Sequence, residues 1–251
     1  MQESRACTLI AVALACRIIE QHVMVKDVWS LSNNMATLEA LFLAMIDGNA
    51  LHRRLHQQRL LPLDHTLSIP SAISAISLER PLVTERFFAQ ILDLEIDASQ
   101  KLQDALEHCL TWFQNQFPLP HRPNNLGMIW IVDKRSMLLL YQTFTGMVTL
   151  FDSHRHSSWG AAIAQVPVCR LPELCDWYCE QALLFFGSRP SLSEISCVVS
   201  VEDFNYSDCA YLLDEKLLGK SAARLGKLCD SFLVHEGQTM KRRRRTRSAN
   251  F

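Results

Sequence analysis

Three apolar runs follow one another between residues 126 and 152, joined only by tight polar turns, and few architectures can absorb such a segment. Leu126–Val132 (LGMIWIV) leads through Asp133-Lys134-Arg135-Ser136 into Met137–Thr143 (MLLLYQT), which turns at Thr145-Gly146 into Met147–Asp152 (MVTLFD). Short runs of large apolar residues with such connections predict an antiparallel meander. Ile195–Val201 (ISCVVSV) predicts one more strand, and a helix over 171–186, containing Trp177 and Tyr178, precedes it. Trp130 and Trp177 read as core residues. A final amphipathic helix is expected within 209–236.

The chain ahead of the meander reads as helix. Residues 7–24 are apolar nearly all round until Arg17, the mark of a helix central to a core. Residues 35–58 carry Leu38, Leu41, Phe42 and Met45 as one stripe, with Gly48-Asn49 as a point of kinking or interruption; a substrate-facing loop at Gly48, Asn49 and His52 is the alternative there. Pro62, Pro70 and Pro81 put loops around a short helix in 60–82. Residues 83–117 are again expected to be helical, and Pro118–Asn125 is a proline-rich connector. The order is a helix-rich half (1–117) followed by a sheet-rich half (124–236), which indicates an α+β fold rather than a doubly wound parallel sheet. Residues 1–236 are expected to form one domain.

Charge is distributed unevenly. Six of the chain's 25 basic side chains fall in 241–247 (Lys241, Arg242, Arg243, Arg244, Arg245, Arg247) and none of its 26 acidic ones does, so the body up to residue 240 sets 19 bases against 26 acids. An acidic body of this kind is not a general nucleic-acid binder. The tail, 237–251, is expected to be disordered. Its basic run is expected to serve as a nuclear localisation signal read by an import receptor, or as an electrostatic foot on nucleic acid. Localisation is accordingly expected in the nucleus or cytoplasm. With 49% hydrophobic residues the body has ample material for a core.

The nine cysteines are odd in number and scattered, which fits reduced thiols better than a disulfide framework. Cys175 and Cys179 stand one helical turn apart without a matching pair of ligands, so no metal site and no cofactor is expected. Leu9–Cys16 with Ala13-Leu14-Ala15 invites a signal-peptide reading, against which stand Glu3, Arg5 and the shortness of the run. It falls far below the roughly 20 residues that span a bilayer, and no membrane association is expected. Asn205-Tyr206-Ser207 is a formal glycosylation sequon, of little meaning without export.

The residues able to do chemistry are few. Cys7 opens the apolar helix, where the positive end of the helix dipole and unpaired backbone N–H groups favour the thiolate. A lone cysteine is more often simply buried, and Cys16, further along the same helix, reads as core. Phe151-Asp152-Ser153-His154 ends the third strand. Residues two apart on a strand share a face, so Asp152 can orient the His154 ring directly or after modest bending. A base with its orienting carboxylate is what a cysteine nucleophile requires. His156 is expected at the surface, and Asp203 and Asn205 are lesser candidates for orienting the histidine. The small residues Gly160, Ala161 and Ala162 suit the close approach of backbone to a cleft.

Ala6-Cys7-Thr8 with its apolar helix, and Leu150-Phe151-Asp152-Ser153-His154 followed by Gly160-Ala161-Ala162, resemble the peptidase domain of herpesvirus large tegument proteins, a deubiquitinase family. The layout matches over roughly residues 5–200, and the specific likeness lies in those two motifs. The resemblance implies a papain-like cysteine protease fold, with Cys7 as nucleophile, His154 as base and Asp152 as its orienter. It also implies hydrolysis at the C-terminus of ubiquitin or a ubiquitin-like protein, through a channel rimmed by Gly160 and Ala161. One feature departs from the papain pattern. An oxyanion donor is expected upstream of the nucleophile, and among the six residues before Cys7 only Gln2 offers one. Otherwise backbone N–H groups suffice, or the chain is a shortened or inactive form. A noncatalytic ubiquitin-binding relative, an interaction module and another papain-fold thiol enzyme, such as an acyl transferase, are the rival readings.

Overall fold

The computed structural model describes residues 5–26, 28, 30, 34–61, 67–77, 82–91, 96–119, 122–154, 160–187 and 193–202. These fall within the first of the two units into which the chain divides, Met1–Tyr206 and Ser207–Phe251. The predicted helix at 209–236, the basic tail and the sequon lie outside the described residues, as do Gln2, His156, Asp203 and Asn205.

The elements in order are α1 (Cys7–Glu20), α2 (Met35–Gln57), α3 (Ile69–Ile76), β1 (Val83–Ile91), α4 (Ala98–Gln116), β2 (Asn125–Val132), β3 (Arg135–Gln142), β4 (Met147–Asp152), β5 (Ala162–Pro167), α5 (Leu171–Phe186) and β6 (Ser193–Ser200). The strands form one antiparallel sheet in the order β1-β6-β2-β3-β4-β5. The fold is α+β, with helices on both faces of the sheet. This explains why the central strands read as unbroken apolar runs, since each successive side chain has a core to enter. Met128, Trp130, Leu139, Leu150 and Cys197 pack with α4 and α5 on one face. Ile129, Leu138, Leu140, Phe151 and Val198 turn to the other, where α1 lies.

The first half is not all helix. Residues 83–91 form β1, which pairs along β6 with a register break between Glu85 and Phe87. The period-four spacing of Phe87 and Ile91 suggested a helix, but the open edge of β6 supplies a ladder, and Phe87 stacks on Trp112 of α4 at 5.3 Å. A second unexpected strand is β5, whose six residues pair with β4. Nor is α2 kinked. It runs unbroken through Gly48, and a Cβ built there would lie 2.6 Å from Ile10 Cγ1 and 3.0 Å from the Ile10 amide nitrogen. Glycine is needed because α1 crosses against that point, not because the helix ends there. Gly48 is therefore no part of a substrate-facing loop. The expected stripe on α2 also splits, with Leu41 buried and Phe42 largely exposed.

Every residue of α1 from Cys7 to Cys16 is buried. The helix is attached to β3 at both ends of its run. At its start Thr8 Oγ1 and Ser136 Oγ lie 2.8 Å apart. Beyond its far end the buried Gln142 side chain accepts from the Val25 amide (2.8 Å) and donates to the Val23 carbonyl (3.0 Å). Backbone groups that leave the helix in a dry environment are thus satisfied by one side chain. These two attachments lay α1 along β3 and set its first residue above the β2–β3 turn. Among the described residues no helix is long and apolar enough to cross a membrane, and no three His, Cys, Asp or Glu side chains gather as a metal site.

Candidate active site

Cys7 is the first residue of α1. Ala6 caps the helix without a side-chain bond, and the first turn holds no acidic residue, so nothing there offsets the positive end of the dipole. Thr8, the second residue of α1, turns its hydroxyl to Ser136. Opposite stands the two-residue turn between β2 and β3. Asp133 and Lys134 both take positive φ (46° and 67°), the geometry of a hairpin turn whose twist suits the flanking strands. The Lys134 carbonyl lies 3.8 Å from Cys7 Sγ, a long bond open to the sulfur only while it carries its proton.

Asp152 is the last residue of β4, where it pairs with Ala162, and is 1% exposed. His154 does not reach it by strand alternation. The strand ends, and the chain bends so that Asp152 Oδ1 accepts from both the His154 backbone N–H (2.8 Å) and ring Nδ1 (2.6 Å). One carboxylate oxygen therefore fixes the turn and the ring together. With Nδ1 engaged, Nε2 is the nitrogen left to address the thiol, and ring and sulfur each shift the other's proton affinity.

The electrostatics follow from these contacts. Burial alone would push the Cys7 thiol up, but the bond and charge of His154, with bonds from the Ser136 side chain and amide, hold it below the ordinary thiol value. Burial alone would pull His154 down, yet the Asp152 bond and the facing sulfur raise it to about 9. Both shifts run toward a thiolate–imidazolium pair, with the carboxylate behind the ring. Such a pair can attack an acyl carbon and hand a proton to the departing group.

The sites read from the sequence are therefore divided. Cys7, Asp152 and His154 come together across 147 positions of chain. Gly160 and Ala161 lead directly into the Asp152–Ala162 rung. Among the described residues nothing lies within 4 Å of a Cβ built at Gly160, whose φ is +84°, so glycine answers a backbone conformation there rather than a close approach. Gln2 and Lys241, Arg242, Arg243, Arg244 and Arg245 fall outside the described residues. Cys175 is buried in the core, and its thiol is pushed well up by desolvation. Sequence reading missed Ser136. The sequence groups it with the polar turn, whereas it is the second residue of β3, and nothing local announces that this end of the strand meets the start of α1.

No family model matches the sequence, and no curated protein is significantly similar to it. Among solved structures, the Pseudomonas avirulence protein AvrPphB aligns at 10% identity and a TM-score of 0.46, over 79% of this chain and 96% of that one. The ubiquitin-specific protease encoded by a murine cytomegalovirus tegument protein, solved with a ubiquitin-based suicide substrate, aligns at 12% identity and a TM-score of 0.42, over 77% of this chain and 75% of that one.

Proposed function

We propose that this chain is a papain-type cysteine peptidase that cleaves ubiquitin or a ubiquitin-like protein from its conjugates. The observation that carries the reading is His154 held between a buried carboxylate and the thiol that opens α1. The ubiquitin-like substrate rests on the likeness of the Cys7 and Asp152-Ser153-His154 motifs to herpesvirus tegument deubiquitinases. In the forward reaction the Cys7 sulfur adds to the carbonyl carbon of the modifier's terminal glycine, and negative charge passes to the carbonyl oxygen. The carbon–nitrogen bond then breaks as His154 gives its ring proton to the leaving amine, which leaves a thioester on Cys7. A water attacks that thioester, with His154 taking one of its protons. The carbon–sulfur bond breaks to free the modifier's carboxylic acid, which loses its remaining proton to solvent, and the thiolate–imidazolium pair is restored. Asp152 keeps the ring in the one orientation that serves both halves.

Gln2 is the donor assigned to the carbonyl oxygen, Gly160 and Ala161 the rim of the channel for the glycine-ended tail, and Lys241–Arg245 a nuclear import signal. The test is labelling with a ubiquitin bearing a C-terminal electrophile. The expected adduct forms at Cys7 and vanishes in Cys7→Ala with the fold intact. Labelling that persists in that variant sinks the assignment. Binding of ubiquitin without an adduct would instead mark a noncatalytic relative.

A further inference from the structure

The hydroxyl chain at the start of α1 has a direction. Ser136 Oγ lies 2.8 Å from the hydroxyl of Thr8, the residue next to Cys7, and the Ser136 hydroxyl and amide both act to hold the Cys7 thiol down. If the Ser136 hydroxyl spends its proton on sulfur, its oxygen is free to accept, and Thr8 is placed to donate to it. The sequence is Thr8 O–H to Ser136 O, then Ser136 O–H to Cys7 S. Each bond polarises the next, and the buried surroundings strengthen both. Ser136 is 1% exposed and Thr8 6%, so water does not compete.

The amide of Ser136 is available for a topological reason. In an antiparallel ladder alternate residues send their N–H groups to opposite neighbours. Ser136 shares its direction with Leu138 and Leu140, toward β4, and the β3–β4 register begins only at Leu138–Phe151. The Ser136 amide thus points past the last paired rung, and α1 brings the sulfur to it. The positive-φ turn at Asp133 and Lys134 makes this possible by starting β3 at that height.

We propose that Ser136 is a positioning residue for Cys7, its Thr8-oriented hydroxyl and its amide together holding the sulfur as an anion aimed at the substrate. This rests on Cys7 being the nucleophile. When the sulfur bonds to carbon and its charge moves to the carbonyl oxygen, the two donors lose their anion. They are then free to follow the charge, which gives the site donors that do not depend on Gln2.

The experiment is site-resolved alkylation of Cys7 with iodoacetamide from pH 5 to 10, read by peptide mass spectrometry on the full chain. Ser136→Ala should move the half-maximal pH upward by about one unit, roughly a tenfold slower reaction on the acid side. Ser136→Thr, which keeps the hydroxyl and suits a strand, should restore the wild-type curve. Thr8→Val should shift the curve in the same direction by less, and it decides the matter should Ser136→Ala not fold. A Ser136→Ala curve that overlies wild type, a Thr variant displaced as far as the Ala one, or no shift in Thr8→Val where that variant decides overturns the proposal. Wild-type Cys7 that itself alkylates as an ordinary thiol would instead overturn the nucleophile reading.

Discussion

Cys7 and Cys16 sit on the same helix, both nearly inaccessible to solvent, and their thiols are driven in opposite directions. Cys16 is pushed up to about 12 by burial, with Glu20 adding to it. Cys7 suffers the same burial and still falls below the ordinary value. Depth in the protein therefore does not set the reactivity of these sulfurs; the neighbours do. Cys16 is surrounded by the apolar cluster that α1 shares with α2 and the sheet. Cys7, at the helix start, meets an imidazole, a hydroxyl and an amide. Cys197 makes the contrast sharper: its neighbour is Cys109, a partner that raises its thiol further above the effect of burial.

The largest test of this contrast exchanges the two sulfurs. Cys7→Ala should abolish labelling by an electrophilic ubiquitin, whereas Cys16→Ala should leave its rate within about twofold and cost only about 1–2 kcal/mol of stability for the vacated volume. Loss of labelling in both variants would mean that the helix, not the site, had failed. Next in size is removal of the ring. In His154→Ala the first force opposing burial is gone, so Cys7 should come to behave like Cys16. Its alkylation at pH 7 should drop by about a hundredfold or more. A Cys7 that stays reactive without His154 would show that the helix terminus and Ser136 suffice.

Asp152→Asn should have a smaller effect on the sulfur and a distinct signature. The amide can still hold the His154 ring but cannot support its charge, so the imidazolium should titrate well below its present value of about 9. In wild type, kcat/KM should rise through the lowered Cys7 titration and fall near pH 9 as His154 loses the proton owed to the leaving group. The Asn variant should draw that alkaline limb inward. A pH profile with an unmoved alkaline limb would break the link between carboxylate and ring.

The same division between local and distant partners decides what the sequence disclosed. Apolar runs with tight turns made β2, β3 and β4 legible, and all-round hydrophobicity marked α1 as central. Asp152 and His154 were legible because they are two residues apart, although the reason proved to be a turn held by Oδ1 rather than a continuing strand. β1 escaped because its apolar residues fit a helical period equally well, and only the distant edge of β6 decides between them. Ser136 escaped for a like reason. Its meaning depends on α1 lying along β3, which Gln142 enforces through Val23 and Val25, and no local pattern encodes that contact. Gly48 was visible as a glycine, but its cause, Ile10 of another helix, was not.

The smallest predicted effect is a near absence of pH dependence, and it probes where the proton resides. His154 is raised, so its contribution to stability is complete below its unfolded value near 6.5 and fades as pH climbs through about 9. Cys7 is lowered, so its contribution is complete above its unfolded value of 9.0 and fades as pH drops through the folded one. Above both the lowered Cys7 value and the unfolded His154 value near 6.5, and up to about pH 9, the folded pair holds one proton on nitrogen and the unfolded chain one on sulfur. Equal proton numbers give no slope, so the stability of wild type should change by less than about 1 kcal/mol over that window from this pair. Cys7→Ala removes the compensating group but leaves His154 on its carboxylate. Its stability should therefore decline with rising pH, by up to about 1.4 kcal/mol per pH unit where the ring titrates. Urea unfolding at stepped pH reads the difference directly. A wild type that loses stability as steeply as Cys7→Ala would mean that the folded pair holds a proton on both atoms, and Cys7 would then be, like Cys16, only a buried thiol.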